Sequence, residues 1–204
     1  MRNHLQEHRT AWSLAVAATL ALLVACLGGC LSGPGPLADD PVVAARHEAR
    51  WRQRRIILNN DGNEVVYQLA EATPEELLSK RTTALVGTHV DTVFYCTWSS
   101  GFGMFTHATD VAERFTATTG VFGPNRTAEL LAAGHDPLRV VSEFCRDHGI
   151  EIFWSMRMND THDVSPQYPE MFPQFKKDYP GCLVGSAASP TRYGRWTSVD
   201  YSHH

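Results

Sequence analysis

Ile150-Glu151-Ile152-Phe153-Trp154-Ser155-Met156-Arg157-Met158-Asn159-Asp160-Thr161-His162-Asp163 is the stretch whose reading decides the fold. It opens as an apolar, β-branched and aromatic run and ends in a polar cluster. Alternation places Ile152, Trp154, Met156 and Met158 on one face, and Phe153, Ser155, Arg157 and Asn159 on the other. The first face suits packing under helices. The second turns polar towards its carboxyl end, where strands of a parallel sheet meet ligand.

Working back from this strand, the chain alternates strand and helix. Asp136 caps a helix with Pro137 at its first position, and Leu138, Val141, Phe144 and Cys145 follow helical spacing as far as about His148. Gly149 ends it. A second strand is expected over Val90 to Trp98, with Phe94, Cys96 and Trp98 on one face and Val93, Tyr95 and Thr97 on the other. Thr73, Pro74 and Glu76 mark a helix start, with an end near Arg81. Ile56-Ile57-Leu58 reads as the first strand, running into Asn59-Asn60-Asp61-Gly62-Asn63. Thr109 to Phe115 reads as a helical turn. Strand–helix–strand–helix–strand with short turns argues for parallel crossovers, hence an α/β chain with about three βα units. Asn60, Tyr95, Arg157 and Asn159 then converge on one rim. Each also has a bland role, because Asn and Asp at strand ends commonly bond turn amides.

The 204 residues are 43% hydrophobic and 20% charged with net charge −4, which fits one globular domain. No basic stripe interleaved with aromatics is present, so nucleic acid is not expected as a partner. Cys96, Cys145 and Cys182 form no CxxC pair, which argues against structural zinc. Cys96 and Cys145 read as small buried apolar groups, and no disulfide is assigned. No cofactor is expected.

The amino terminus reads as a targeting segment. Arg2, His4, His8 and Arg9 precede an apolar run from Ala11 to Ala25, too short to span a bilayer. Leu23-Val24-Ala25-Cys26 resembles the lipobox of bacterial lipoproteins, in which the Cys is lipidated; Leu27-Gly28-Gly29-Cys30 is a second candidate. An ordinary secretory signal and a short uncleaved anchor are the alternatives, and every reading exports the rest of the chain. Residues 27–55 read as a linker, with Ser32-Gly33-Pro34-Gly35-Pro36 as tether and a short helix over Val42 to Arg55. Its arginines read as a solvated surface or as contacts to anionic headgroups. Residues 56–204 form the folded part.

Val90-Asp91-Thr92-Val93-Phe94-Tyr95, His135-Asp136-Pro137-Leu138 and Cys145-Arg146-Asp147-His148-Gly149-Ile150-Glu151-Ile152-Phe153-Trp154 resemble glycosyl-hydrolase-like family 10 over about residues 56 to 204. Asp91 stands where the simplest form of that pattern has Asn. The resemblance implies an extracytoplasmic (β/α)8 barrel, here a partial one, acting on carbohydrate. Glycoside hydrolysis uses two carboxyl groups flanking the bond. In related barrels these sit on later strands, so the chain reads as the first part of a barrel without its usual acid and nucleophile. The candidate sugar-contacting residues are Asn60, Asp61, Tyr95 and Trp98 from the first two strand ends, and Arg157, Asn159, Asp160, His162 and Asp163 from the third. The set Asp160, His162 and Asp163 is open to three readings: sugar contact, a metal site, or a capped loop. Phe102, Tyr168 and Tyr193 join Trp98 as aromatics suited to sugar rings.

Two other readings compete. Val86-Gly87-Thr88-His89-Val90-Asp91-Thr92-Val93 resembles the zinc-ligand signature of aminoacylase-type metallopeptidases, but Thr88 interrupts its Gly-His pair. A lipid-anchored, non-catalytic carbohydrate-binding protein is the third. Asn125-Arg126-Thr127 and Asn159-Asp160-Thr161 match glycosylation sequons, which carry no meaning in a bacterial lipoprotein.

Overall fold

The computed structural model describes residues 40–189 and 195–202. The apolar run, Cys26, Cys30, the Gly-Pro tether and Tyr193 lie outside the described residues. The chain divides into two compact units, Met1–Gln53 and Arg54–His204.

In the first unit, α1 (Pro41–Ala49) is capped by Asp40, whose carboxylate accepts from Val42 N at 2.7 Å. None of its residues is buried. It is shorter than the helix expected over Val42 to Arg55, because the last two arginines of that stretch are drawn into the second unit. There Arg54 donates to the Glu151 carboxylate at 2.5 and 2.7 Å, and Arg55 N donates to Asp91 at 2.9 Å. These contacts draw the chain straight. No helix among the described residues is long and apolar enough to cross a membrane.

The second unit is mixed α/β around a small parallel sheet. Its strands are β1 (Ile57–Asn60), β2 (Thr92–Tyr95) and β5 (Glu151–Trp154), in spatial order β1-β2-β5. Both pairings are parallel and in one register, so that Leu58, Val93 and Ile152 lie side by side. The first crossover carries α2 (Glu64–Tyr67) and α3 (Pro74–Arg81), the second α4 (Thr127–Ala132) and α5 (Pro137–Asp147). The starts of α3 and α5 match their sequence signals. Thr73 Oγ1 accepts from Glu76 N at 3.2 Å, and Asp136 accepts from Arg139 N at 3.0 Å. The Glu76 carboxylate reaches back past the cap to Ala70 N at 3.3 Å, so the reciprocal bond of a capping box is made one turn earlier.

One core fills the helix-covered face of the sheet: Val65, Leu77, Val93, Tyr95, Leu130, Val141 and Cys145 bury together. Each such apolar side chain contributes about 1.5–3 kcal/mol on leaving water. The opposite face carries Ile57, Asn59, Phe94 and Phe153. No described helix packs on it; Ile57 and Phe153 remain 48% and 40% exposed. Phe94 and Phe153 meet there edge to face at 5.2 Å.

A second core lies beyond the carboxyl ends of the strands, where Val66, Trp98, Met104, Phe115, Phe122 and Met171 cluster. Adjacent residues Val65 and Val66 enter different cores, so α2 wedges between them. Trp98 stacks on Phe115 at 4.5 Å and adopts φ +93°. That backbone conformation costs a bulky residue on the order of 1–3 kcal/mol and survives where packing over-determines it. A Cβ on Gly101 would stand 2.6 Å from the Trp98 indole nitrogen, so the loop needs glycine there.

Three expectations need correction. Thr109 to Phe115 is not helical: β4 (Glu113–Arg114) pairs with β3 (Met104–Phe105), because Phe115 is drawn into the second core and its N–H bonds Phe105 O at 2.8 Å. The third strand stops at Trp154. Its neighbour ends at Tyr95, and Ser155 N to Tyr95 O is the last rung of the ladder. Met156 and Met158 therefore have no helix above them and stand 42% and 58% exposed. Finally, Trp98 does not share a sheet face with Phe94, because β2 has ended before it.

Candidate functional site

The three strand ends lead into two polar regions of opposite character. The first is a buried rim. Gly62 follows β1 at φ +66°, and a Cβ there would overlap Cys96 O. This approach lets Asn60 turn back on its own loop. Asn60 Oδ1 accepts from Gly62 N at 2.9 Å and from Arg81 at 3.3 Å, while its amide donates to Glu64 at 3.1 Å. Burial raises the Glu64 carboxyl above the usual range, opposed by hydrogen bonds and by Arg81. Burial likewise drives the Tyr95 phenol well up, with Glu64 adding to it, and its hydroxyl has no hydrogen-bond partner among the described residues.

The third strand end joins the rim through its loop. Arg157 lies 3.6 Å from Asp61 and 3.4 Å from Asp160. Asp160 accepts from His162 N at 2.9 Å and pairs with the His162 ring at 2.8 Å. Asn159 holds the backbone of Val199 from both sides: it accepts from Val199 N at 2.9 Å and donates to Val199 O at 3.4 Å. Tyr201 caps the same turn by donating to Met158 O. Lys176, in α6 (Gln174–Asp178), reaches the Asp163 carboxylate at 2.5 Å and Asp160 O at 3.2 Å, with both charged side chains fully buried. Burial raises the Asp163 carboxyl, and the Lys176 ammonium pulls against that shift.

The second region is a cleft of about 500 Å³, lined by Tyr67, Phe122, His162, Ser165, Tyr168 and Arg195, among others. Tyr67 follows β1, and His162 to Tyr168 follow β5, so the cleft opens on the carboxyl side of the sheet. The aromatic floor is layered: Tyr67 rests on Phe122 at 6.2 Å and on Trp98 at 5.6 Å, and Phe122 meets Tyr168 at 5.9 Å. Burial raises the Tyr67 phenol, and the neighbouring Tyr168 adds to this. No described residue lining the cleft is a carboxylate.

The structure thus distributes the nine expected site residues unevenly. His162 lines the cleft. Asn60, Tyr95, Asp160 and Asp163 are buried in the rim. Asp61, Arg157 and Asn159 link its loops. Trp98, 1% exposed, lies beneath the cleft floor and supports Tyr67 rather than facing the opening. Tyr67, Glu64, Lys176 and Arg195 are additions that the sequence reading misses. Glu64 has one signal, its place four residues after Asn60 beside Val65-Val66. Arg195 has none.

A third cluster pins the β2–β3 loop. Thr97 Oγ1 lies 2.6 Å from His107 Nδ1 and accepts from the Trp154 indole at 3.1 Å. Burial lowers the His107 pKa, and Asp136 pulls against that shift. Burial pushes the Cys96 and Cys145 thiols up to about 11, and Cys182 is also free. Among the described residues no group of three His, Cys, Asp or Glu is placed to hold a metal. Asp91, of the metallopeptidase-like run, sits at the amino end of the sheet, 3.7 Å from Arg55, on the side away from the cleft.

Comparison with protein-family models and with curated proteins finds no match.

Proposed function

We propose that the second unit is the opening part of a (β/α)8 barrel of the glycosyl-hydrolase-like family 10 kind, and that the cleft binds carbohydrate. The observation that carries this reading is the cleft itself. Tyr67, Tyr168 and His162 bring ring faces and polar heads together beyond the carboxyl ends of parallel strands, where barrels meet their ligands. Sugars present flat C–H faces to aromatic rings and hydroxyls to polar edges.

Two features support the barrel. The strands follow one another in space as they do in sequence, all parallel, with helices in each crossover. The described crossover helices lie on one face, leaving Ile57, Phe94 and Phe153 on the other, and a barrel's interior is lined by such a face. The absence of a carboxylate among the described lining residues favours grip over cleavage, because hydrolysis requires a carboxyl group on each side of the bond. We further propose export with Cys26 as the lipidated residue. Replacing Cys26 by Ser should then abolish incorporation of labelled palmitate.

A glycan array probed with the full chain tests the binding reading. Oligosaccharide binding that weakens about tenfold in Tyr168→Ala, with cooperative melting retained, is the expected result. Failure of every saccharide to bind, or full binding by the variant, would overturn it.

A further inference from the structure

Charge in and around the cleft narrows the ligand. The exposed and buried aspartates of the rim already have cations: Asp61 and Asp160 have Arg157, and Asp163 has Lys176. Arg195 is left over. Its side chain is exposed, lines the cleft, and has no ion-pair or hydrogen-bond partner among the described residues. The cleft is also lined by Tyr67 and Tyr168, and no described lining residue is a carboxylate that would repel an anion. His162 is anchored through Nδ1 by Asp160, which leaves Nε2 as the ring's free edge.

From this we infer that the cleft takes an acidic saccharide, a sugar whose ring bears a carboxylate. The inference rests on the carbohydrate reading above and adds the ligand class. A guanidinium presents two parallel N–H groups that match both oxygens of a carboxylate, and such charge-assisted pairs are about twice as strong as neutral ones. The sugar ring then lies against the tyrosines while its carboxylate faces Arg195. Desolvation inside a concave, aromatic-walled site strengthens the pair relative to open water.

Calorimetric titration of the full chain with trigalacturonate and with its fully methyl-esterified form tests the inference, because the two differ in charge and hardly in shape. The expected result is binding about tenfold tighter for the acid. Arg195→Gln should abolish that preference without lowering the melting temperature, since the wild-type side chain holds no partner among the described residues. Raised salt should weaken the acid and leave the ester unchanged. Equal affinity for acid and ester would overturn the acidic class and leave the carbohydrate reading standing. A preference that survives Arg195→Gln would overturn the role of this residue. Failure of both ligands to bind would overturn the acidic class, and the glycan array then decides the carbohydrate reading beneath it.

Discussion

The rim and the cleft lie beyond the same strand ends and draw on similar residue types, yet they differ in where their polar groups are spent. In the rim, Asn60, Asp160, Asp163 and Lys176 are buried and bonded to one another or to backbone. In the cleft, Arg195 faces solvent without a partner among the described residues, and His162 keeps one ring nitrogen free. A buried polar group left alone costs free energy, so these bonds are a condition of folding. An exposed polar group loses nothing by waiting for a ligand. The two regions therefore separate stability from recognition, and substitutions should separate them too.

The sharpest break comes at Gly62. Gly62→Ala places a Cβ on Cys96 O and forces φ +66° on a residue with a side chain. No flexible group stands there to yield. Loss of soluble, cooperatively melting protein is the expected outcome; a melting curve like the wild type's would show that the β1 and β2 ends are not packed as described.

Next in size is Lys176→Met, which leaves the Asp163 carboxylate buried without its cation. Breaking such a pair from one side costs about 3–5 kcal/mol. The double variant Lys176→Met with Asp163→Leu should recover most of that loss in chemical denaturation. If the single variant alone is as stable as the wild type, the pair is not buried. Arg195→Gln is the contrasting case on the cleft side, with binding altered and stability kept.

A smaller effect belongs to Glu64. Its folded pKa is raised by burial, so the folded state holds its proton more tightly than the unfolded state. Stability from this group is greatest below the ordinary carboxylate range and declines as pH rises through the raised folded value. Thermal melts of wild type and Glu64→Gln across that range should diverge with rising pH, the Gln variant losing less. Parallel curves would place Glu64 in water.

What is legible in the sequence follows from how local each cause is. The starts of α3 and α5 are readable because Thr73-Pro74 and Asp136-Pro137 carry their caps within a few residues. The parallel order is readable from short turns around apolar runs. The end of β5 is not, since alternation continues through Met158 while its partner strand stops at Tyr95. A neighbour's length is not written in a strand's own residues. Lys176 is illegible for a similar reason: lysine is ordinarily exposed, and Asp163 and Asp160 O, thirteen and sixteen residues away, make its burial possible. Of the expected site residues His162 lines the cleft, because a polar residue just past a strand end can serve either recognition or loop closure, and burial decides which.

Hydrogen–deuterium exchange of the intact chain, with and without saturating trigalacturonate, asks most directly whether the open polar groups are the ones that receive sugar. The account predicts slowed exchange in residues 64–68 and 161–168, with the strands at 57–60, 92–95 and 151–154 unchanged. Protection confined to those strands, or no protection anywhere, would contradict it.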